Sequence, residues 1–248
     1  ERVCPRVIQS NSAMFPANVK FLSTPRLIEN GASKYNYTNF NLANHVGDES
    51  SAVLANRRLL ASQYNLPNEP KWLDQCHSNI CVNVDSSYSS KADASISQTP
   101  SVVCAVLTAD CLPIFLCKKD GHAVGVVHAG WRGLLGGVIE SSINALDASE
   151  AEILAHLGPA ISQNAFEVGT EVRDVFVNSN ADFECTFIQR NNKFMFDLYA
   201  AARIVLIGHG VKSITGGEHC TYSEKEKYYS YRRDGEKSGR MAHLIWIT

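Results

Sequence analysis

The amino-acid sequence predicts a mixed α+β fold in which helices cover a sheet core. Short β-rich runs outnumber helical stretches, and the two types do not alternate along the chain as they would in a doubly wound parallel sheet. Hydrophobic side chains make up 45% of the 248 residues against 19% charged, the balance of a globular rather than a disordered chain. At this length one core can bury most of the chain, and no shift in composition divides it, so residues 1–248 read as a single domain.

Period and capping residues place the helices. Asp48 precedes Val53, Leu59, Leu60 and Tyr64 and is a candidate N-cap. A second helix is expected after Gly133, with Leu135, Val138, Ile139, Ile143 and Leu146 as its apolar stripe. A third covers 171–177. A fourth starts at Asp197 and carries Leu198, Ala201, Ala202, Val205 and Leu206 before Gly208. Strands are expected at 102–108, 112–116, 123–128, 153–157, 185–189, 213–215 and 244–247. Pro113 should break the pairing just after Asp110 and Cys111, leaving that thiol in a turn. The Ser-rich stretch 85–91 reads as a surface loop.

Charge and cysteine usage restrict the function. Twenty-three Lys and Arg against 25 Asp and Glu give a net charge of -2, so there is no overall basic field for nucleic acid or an anionic membrane, and any anion must be recognised locally. The longest apolar runs, 102–107 and 112–117, are too short to span a bilayer. The beginning, Glu1-Arg-Val-Cys-Pro, does not read as a secretory signal, so a cytoplasmic chain with reduced cysteines is expected.

Familiar catalytic signatures are missing: there is no Gly-x-Gly-x-x-Gly, no phosphate-loop Gly-Lys-Ser/Thr, no Gly-x-Ser-x-Gly, no His-Glu-x-x-His and no Cys-x-x-Cys. What stands out is Gln75-Cys-His77, Thr108-Ala-Asp-Cys111-Leu-Pro113 and His128-Ala-Gly-Trp-Arg-Gly133. Thiolates and imidazoles are both nucleophiles and transition-metal ligands. In Val124-x-Val126-x-His128 the alternation puts the imidazole on an apolar face, where a hydrogen-bonded structural histidine is the ordinary occupant. The residues that follow weigh toward function. Gly130 and Gly133 allow close approach of a ligand, Trp131 can stack on a ring, and Arg132 can grip an anion bidentately. A second candidate anion site is Tyr228-Tyr-Ser-Tyr-Arg232-Arg233-Asp234 with Arg240.

Taken in order, Gln75-x-His77, Thr-Ala-Asp-Cys111-Leu-Pro-Ile, His128-Ala-Gly-Trp-Arg-Gly133, Leu-Gly-Pro159-Ala-Ile, Phe-Glu-Val-Gly169, Cys220-Thr-Tyr and Tyr-Ser-Tyr-Arg-Arg233 with Gly-Arg240 resemble the bacterial YfiH-type family along nearly the whole chain. Asn41-Leu-Ala-Asn-His45-Val-Gly-Asp48 with Asn56-Arg57 is similar to its N-terminal motif. Members carry the names polyphenol oxidase (laccase-like), peptidoglycan editing factor and purine nucleoside phosphorylase. The resemblance implies a four-layer α/β/β/α sandwich and one metal ion, zinc or else copper, on His77, Cys111 and His128. Three protein ligands leave a fourth position for water or substrate. It further implies phosphorolysis of adenosine, inosine, guanosine and methylthioadenosine, together with deamination of adenosine. The ligands are then a purine nucleoside and phosphate.

On this view Cys111, His77, His128 and Asp110 are the catalytic candidates, and Trp131, Arg132, Arg232, Arg233, Arg240 and Arg26 the substrate contacts. Arg26 stands in Ser23-Thr-Pro25-Arg26, where the family has Ser-Thr-Arg-x-Gly-Gly, so a Pro is inserted and the double Gly lost. Two other enzymes fit the same residues. A cysteine hydrolase editing peptidoglycan precursors would use Cys111 as nucleophile and His128 or His77 as base. A copper-dependent polyphenol oxidase would need many further imidazoles, usually in His-x-His pairs; the remaining six histidines, at 45, 122, 156, 209, 219 and 243, are scattered and form none.

Overall fold

Period-two alternation builds two sheets that face one another, in a computed structural model that describes residues 15–86, 88–146 and 152–248. The first sheet is antiparallel and has the order β1 (Val19–Ser23), β12 (Met241–Ile247), β4 (Cys104–Thr108). The second has the order β11 (Ser213–Gly216), β7 (Ile153–Leu157), β5 (Leu112–Lys118), β6 (Val124–Ala129), β3 (Ala94–Ser97), β2 (Cys81–Asn83). Only its two edge pairs, β11 with β7 and β2 with β3, are parallel.

Successive side chains on a strand point to opposite faces, and the buried residues sort accordingly. Val106, Ile245 and Ile247 of the first sheet meet Phe115, Cys117, Val124 and Val126 of the second in the space between them. Their neighbours Ala105, Leu107, Leu244 and Trp246 face outward and are covered by Leu60 of helix α1 (Ser50–Gln63). Leu112, Ile114, Leu116, Val127 and Ala129 face the opposite way, onto α3 (Val138–Ala145) and α5 (Leu198–Gly208). The layers are therefore α/β/β/α, as the resemblance implied. A small antiparallel sheet, β8 (Glu167–Val168), β10 (Lys193–Phe196) and β9 (Phe187–Arg190), extends the last layer with α4 (Thr170–Ser179). Its Phe187 and Phe196 rings stack at 4.5 Å, and Phe176 packs edge-on to Phe187.

Several local expectations need correcting. Asp48 does not cap α1: Glu49 is the N-cap residue, and the Asp48 carboxylate is occupied by Ser33, Asn41 and the Glu49 N–H. The helix after Gly133 is two pieces, α2 (Trp131–Leu135) and α3, because Gly137 takes φ 90° and turns the chain. Residues 181–186 form a 3-10 turn capped by Asn180, so the strand expected from 185 begins at Phe187. Strands β1, β2, β3, β8 and β10 were not expected. Ala-Ser-Ile-Ser in β3 shows why: it is wholly buried yet half hydroxylated, so it carries no hydrophobic signal.

Pro113 lies inside β5 instead of breaking it. Opposite it, the His128 N–H turns to Asp93 O at 2.7 Å, so nothing is lost on that side. On the other side the Gly158 N–H still reaches Pro113 O at 2.9 Å, but Pro113 has no N–H to return. Tyr199 fills the gap: its hydroxyl lies 3.0 Å from Gly158 O and 2.8 Å from His219 O and accepts the Ala160 N–H at 2.7 Å.

Among the thiols, Cys76, Cys81, Cys104, Cys111, Cys117 and Cys220 are free, in line with the expectation of reduced cysteines; Cys185 is disulfide-bonded and departs from it. Asp197 caps α5 as expected, its carboxylate accepting the Ala200 N–H at 2.9 Å. Replacing it with Ala is expected to lower unfolding stability by about 1 kcal/mol, read as a reduced urea midpoint at constant slope.

Candidate metal centre and active site

Three separate turns converge where the two sheets end. Cys111 lies in the turn from β4 into β5, behind Asp110, whose φ of 95° makes the reversal tight. His128 is the penultimate residue of β6, paired across from Pro113. His77 sits on the loop before β2 at φ 59°. Ligand atoms of His77, Cys111 and His128 lie within 4.8 Å of one another. The Cys111 sulfur is 3.8 Å from His77 Nε2, and the imidazole centroids are 4.8 Å apart, edge to face. Gly130 makes this closeness possible, since a Cβ there would come within 2.8 Å of the His77 ring and 3.0 Å of the Cys111 sulfur.

A buried carboxylate holds the group in place. Asp93, which precedes β3, accepts the His128 Nδ1–H at 2.8 Å. It also accepts the backbone N–H groups of Cys76 (3.2 Å), His77 (3.0 Å) and Ser78 (2.6 Å), and the Ser78 hydroxyl (2.7 Å). Burial opposes ionisation of Asp93, but the bonds from His128 and Ser78 outweigh it and hold the carboxyl well below the usual range. With Nδ1–H committed to Asp93, His128 offers Nε2 to the shared space, the tautomer a metal ligand needs. Burial also disfavours charge on Cys111 and His128, yet each stabilises the other's ion, drawing the thiol down and the imidazole up.

Two nitrogens and a sulfur, with a carboxylate behind one imidazole, make a donor set that suits zinc or copper. The residues present therefore fit the expected ion. They also form part of the wall of a cavity of about 450 Å³. Trp131, Arg132, Arg232 and Arg240 line it, as does Phe166. Each guanidinium lies over a ring: Arg132 over Trp131 at 4.3 Å, Arg232 over Phe166 at 5.4 Å and Arg240 over Tyr231 at 5.8 Å.

Two of the expected residues do not reach the cavity, and a third reaches it while holding the chain around it. Arg233 is not on the cavity wall; its guanidinium bonds to Thr221 O, Tyr222 O, Tyr228 O and the Asp234 carboxylate, which uses its donors on the chain itself. Arg26 is also away from the cavity, bonded to Thr38 O and Lys225 O behind the inserted Pro25. Asp110 reaches the wall, but its carboxylate accepts Thr221 Oγ1 at 2.6 Å, Ser230 Oγ at 3.0 Å and the Arg232 N–H at 2.7 Å. It holds the 220s and 230s segments around Cys111.

Asp93 carries no motif in the sequence, and His45 and Gln75, although each lies in a quoted motif, had no role assigned. Gln75 acts as an extra strand residue, bonded both ways to the Leu107 backbone at 2.7 and 2.8 Å, and so positions the His77 loop. For Asp93 the available signal was an isolated acid between Ala92 and Ala94, both fully buried.

A mixed α/β fold with a two-histidine, one-cysteine group at its cavity defines a recognisable class. The chain belongs to the family described as multi-copper polyphenol oxidoreductase laccase, whose model matches residues 22–248. Among curated relatives, "Purine nucleoside phosphorylase YfiH" of Escherichia coli (strain K12) is 45% identical over 234 residues, covering 94% of this chain and 95% of the relative. "Purine nucleoside phosphorylase PA4543" of Pseudomonas aeruginosa is 44% identical over the same shares. Among solved structures, Neisseria meningitidis protein NMB0706 superposes with a TM-score of 0.88 at 45% identity, over 95% of this chain and 97% of that one. The YfiH protein of Bacillus licheniformis shares the fold with a TM-score of 0.86 at 24% identity, over 93% of each chain.

Two outcomes test the geometry. Gly130→Ala should push His77 and Cys111 apart and weaken metal binding on the order of 10–100-fold, the range seen when ligand orientation is disturbed, with the melting curve little changed. In metal-free protein, a lowered thiol pKa means that thiolate persists as the pH falls. Cys111 should therefore still be alkylated by iodoacetamide at pH values where an ordinary thiol is unreactive, as peptide mass mapping across pH will show.

Proposed function

We propose that the protein is a zinc-dependent purine nucleoside phosphorylase acting on adenosine, inosine, guanosine and methylthioadenosine, with an additional adenosine deaminase activity. The observation that carries this reading is the clustering of His77, Cys111 and His128 on the wall of a cavity that also presents arginines and aromatic rings. The names of the relatives point the same way. His77, Cys111 and His128 hold the ion, with Asp93 fixing His128. Zinc bound there would supply Lewis acidity toward a substrate atom.

The chain's own residues supply the rest. Trp131 and Phe166 give flat apolar surface for a purine. The cavity arginines attract phosphate and hold it at the ribose. In the reaction a phosphate oxygen bonds to the ribose anomeric carbon as the bond to the purine nitrogen breaks. The bonding pair leaves with the base, which then takes up a proton. Arg240 favours the phosphate in the orientation for this displacement, and Arg132 and Arg232 add positive charge to the same cavity. No helix among the described residues is long and apolar enough to cross a membrane, and we place the enzyme in the cytoplasm with small molecules, not nucleic acid, as its partners.

A cysteine hydrolase is the second reading, favoured by the ionised character of Cys111 beside His128. Bound metal would occupy that sulfur, so the two readings part on metal content. Protein purified without added metal is expected to carry about one zinc and to release adenine from adenosine only when phosphate is present, with inosine as a second product. Cys111→Ala should lose both the metal and base release. Base release without phosphate, or an undiminished Cys111→Ala enzyme, would refute the proposal.

A further inference from the structure

The segment from Asn41 to Asp48 has no regular structure, yet Asn41, Leu42 and Ala43 are fully buried. It is bonded along its length. Asn41 Oδ1 accepts the Arg240 N–H at 2.9 Å, and the Leu42 N–H donates to Arg240 O at 3.4 Å. Arg57 donates twice to Leu42 O, at 3.0 and 3.1 Å, while Asn56 Nδ2 reaches Asn41 O at 2.9 Å and Tyr37 Oη reaches Val46 O at 2.6 Å. These bonds lay the segment against the Arg240 backbone and bring His45 to the cavity wall beside the Arg240 side chain.

What the two side chains do not bond is informative. Arg240 spends Nη1 on Ser238 O and Gly239 O, and its Nε and Nη2 have no acceptor among the described residues. Neither ring nitrogen of His45 has a hydrogen-bond partner there. Arg57 adds a third basic group close enough to act on His45. The nearest cavity carboxylate, Asp110, is committed to three donors. The unspent N–H groups of Arg240 and the unpartnered imidazole of His45 border one cavity, where they can hydrogen-bond an oxyanion together. Arg132 and Arg232 lie on Trp131 and Phe166, which with Ile161 and Leu198 give the same cavity a surface suited to a ring.

From these contacts we infer that His45 and Arg240 form an oxyanion subsite for inorganic phosphate, leaving Trp131 and Phe166 to the purine. The inference rests on the phosphorolysis reading for its ligand, but phosphate binding is measurable without turnover. The test is titration calorimetry of inorganic phosphate into the metal-loaded full chain, alongside KM for phosphate and for adenosine. His45→Ala and Arg240→Gln should each weaken phosphate binding and raise its KM roughly tenfold to hundredfold, with adenosine KM and metal content little changed. His45→Gln, which keeps a side-chain N–H donor, should recover part of the loss. Phe166→Ala should show the reverse pattern.

Unchanged phosphate affinity in both His45→Ala and Arg240→Gln would overturn the inference, as would loss of metal from His45→Ala, which would make His45 a ligand. Tight binding of a nucleoside 5′-monophosphate with none of inorganic phosphate would assign the subsite to a nucleotide and overturn it too. If wild-type protein binds phosphate through these residues yet never releases base, the subsite stands and the phosphorylase reading fails. Phosphate-dependent base release insensitive to both substitutions has the opposite meaning.

Discussion

The site depends on one buried carboxylate. Asp93 is fully enclosed and accepts five N–H or O–H donors from His128 and from residues 76–78. One anion thus fixes a ring at the end of a central strand and the backbone of a distant loop, the two places that provide the histidines. An unpaired charge at that depth would be strongly destabilising. The Asp93 arrangement is sustained only because every bond is made together, so His77 and His128 are positioned jointly. Cys111 completes the group from a third turn, which Asp110 secures in the same manner, with three donors on its carboxylate. Two aspartates therefore set the geometry in which His77, Cys111 and His128 meet.

Much of this was legible in the sequence, for identifiable reasons. Strands β4, β5, β6 and β12 are apolar on both faces because they lie in the middle of a four-layer stack, and long apolar runs are what sequence reading detects best. Their ends carry Cys111 and His128, so the heart of the site was visible early. His77 was found only through its place in a motif, since its loop has no periodic signal. The hydroxylated β3 and the two-residue β8 were invisible, because their burial is decided by partners far away in the chain.

The arginines show the limits of reading side chains by type. Arg232 and Arg233 are adjacent and chemically identical, yet one lines the cavity over Phe166 and the other spends its donors on Thr221, Tyr222, Tyr228 and Asp234. Their short helix, α6 (Tyr231–Asp234), points successive residues in different directions, and only the fold says which faces the ligand. The same holds for histidine. His243 is sealed between Thr108 and Ser23, and its burial keeps it neutral, whereas His45 is exposed and borders the cavity.

Pro113 has a consequence that reaches across the molecule. By removing one ladder donor it leaves Gly158 O in need of a partner, and the phenol of Tyr199 on α5 takes the place of a backbone amide. A helix on the outer layer is thereby stitched into the interior of the second sheet, and the same hydroxyl reaches Ala160, next to the cavity residue Ile161. The two positions form a lock and key within one chain. A residue with an N–H at 113 would restore the rung and make the phenol redundant there, whereas losing the phenol alone strands a carbonyl, so the fate of either residue is decided by its distant counterpart.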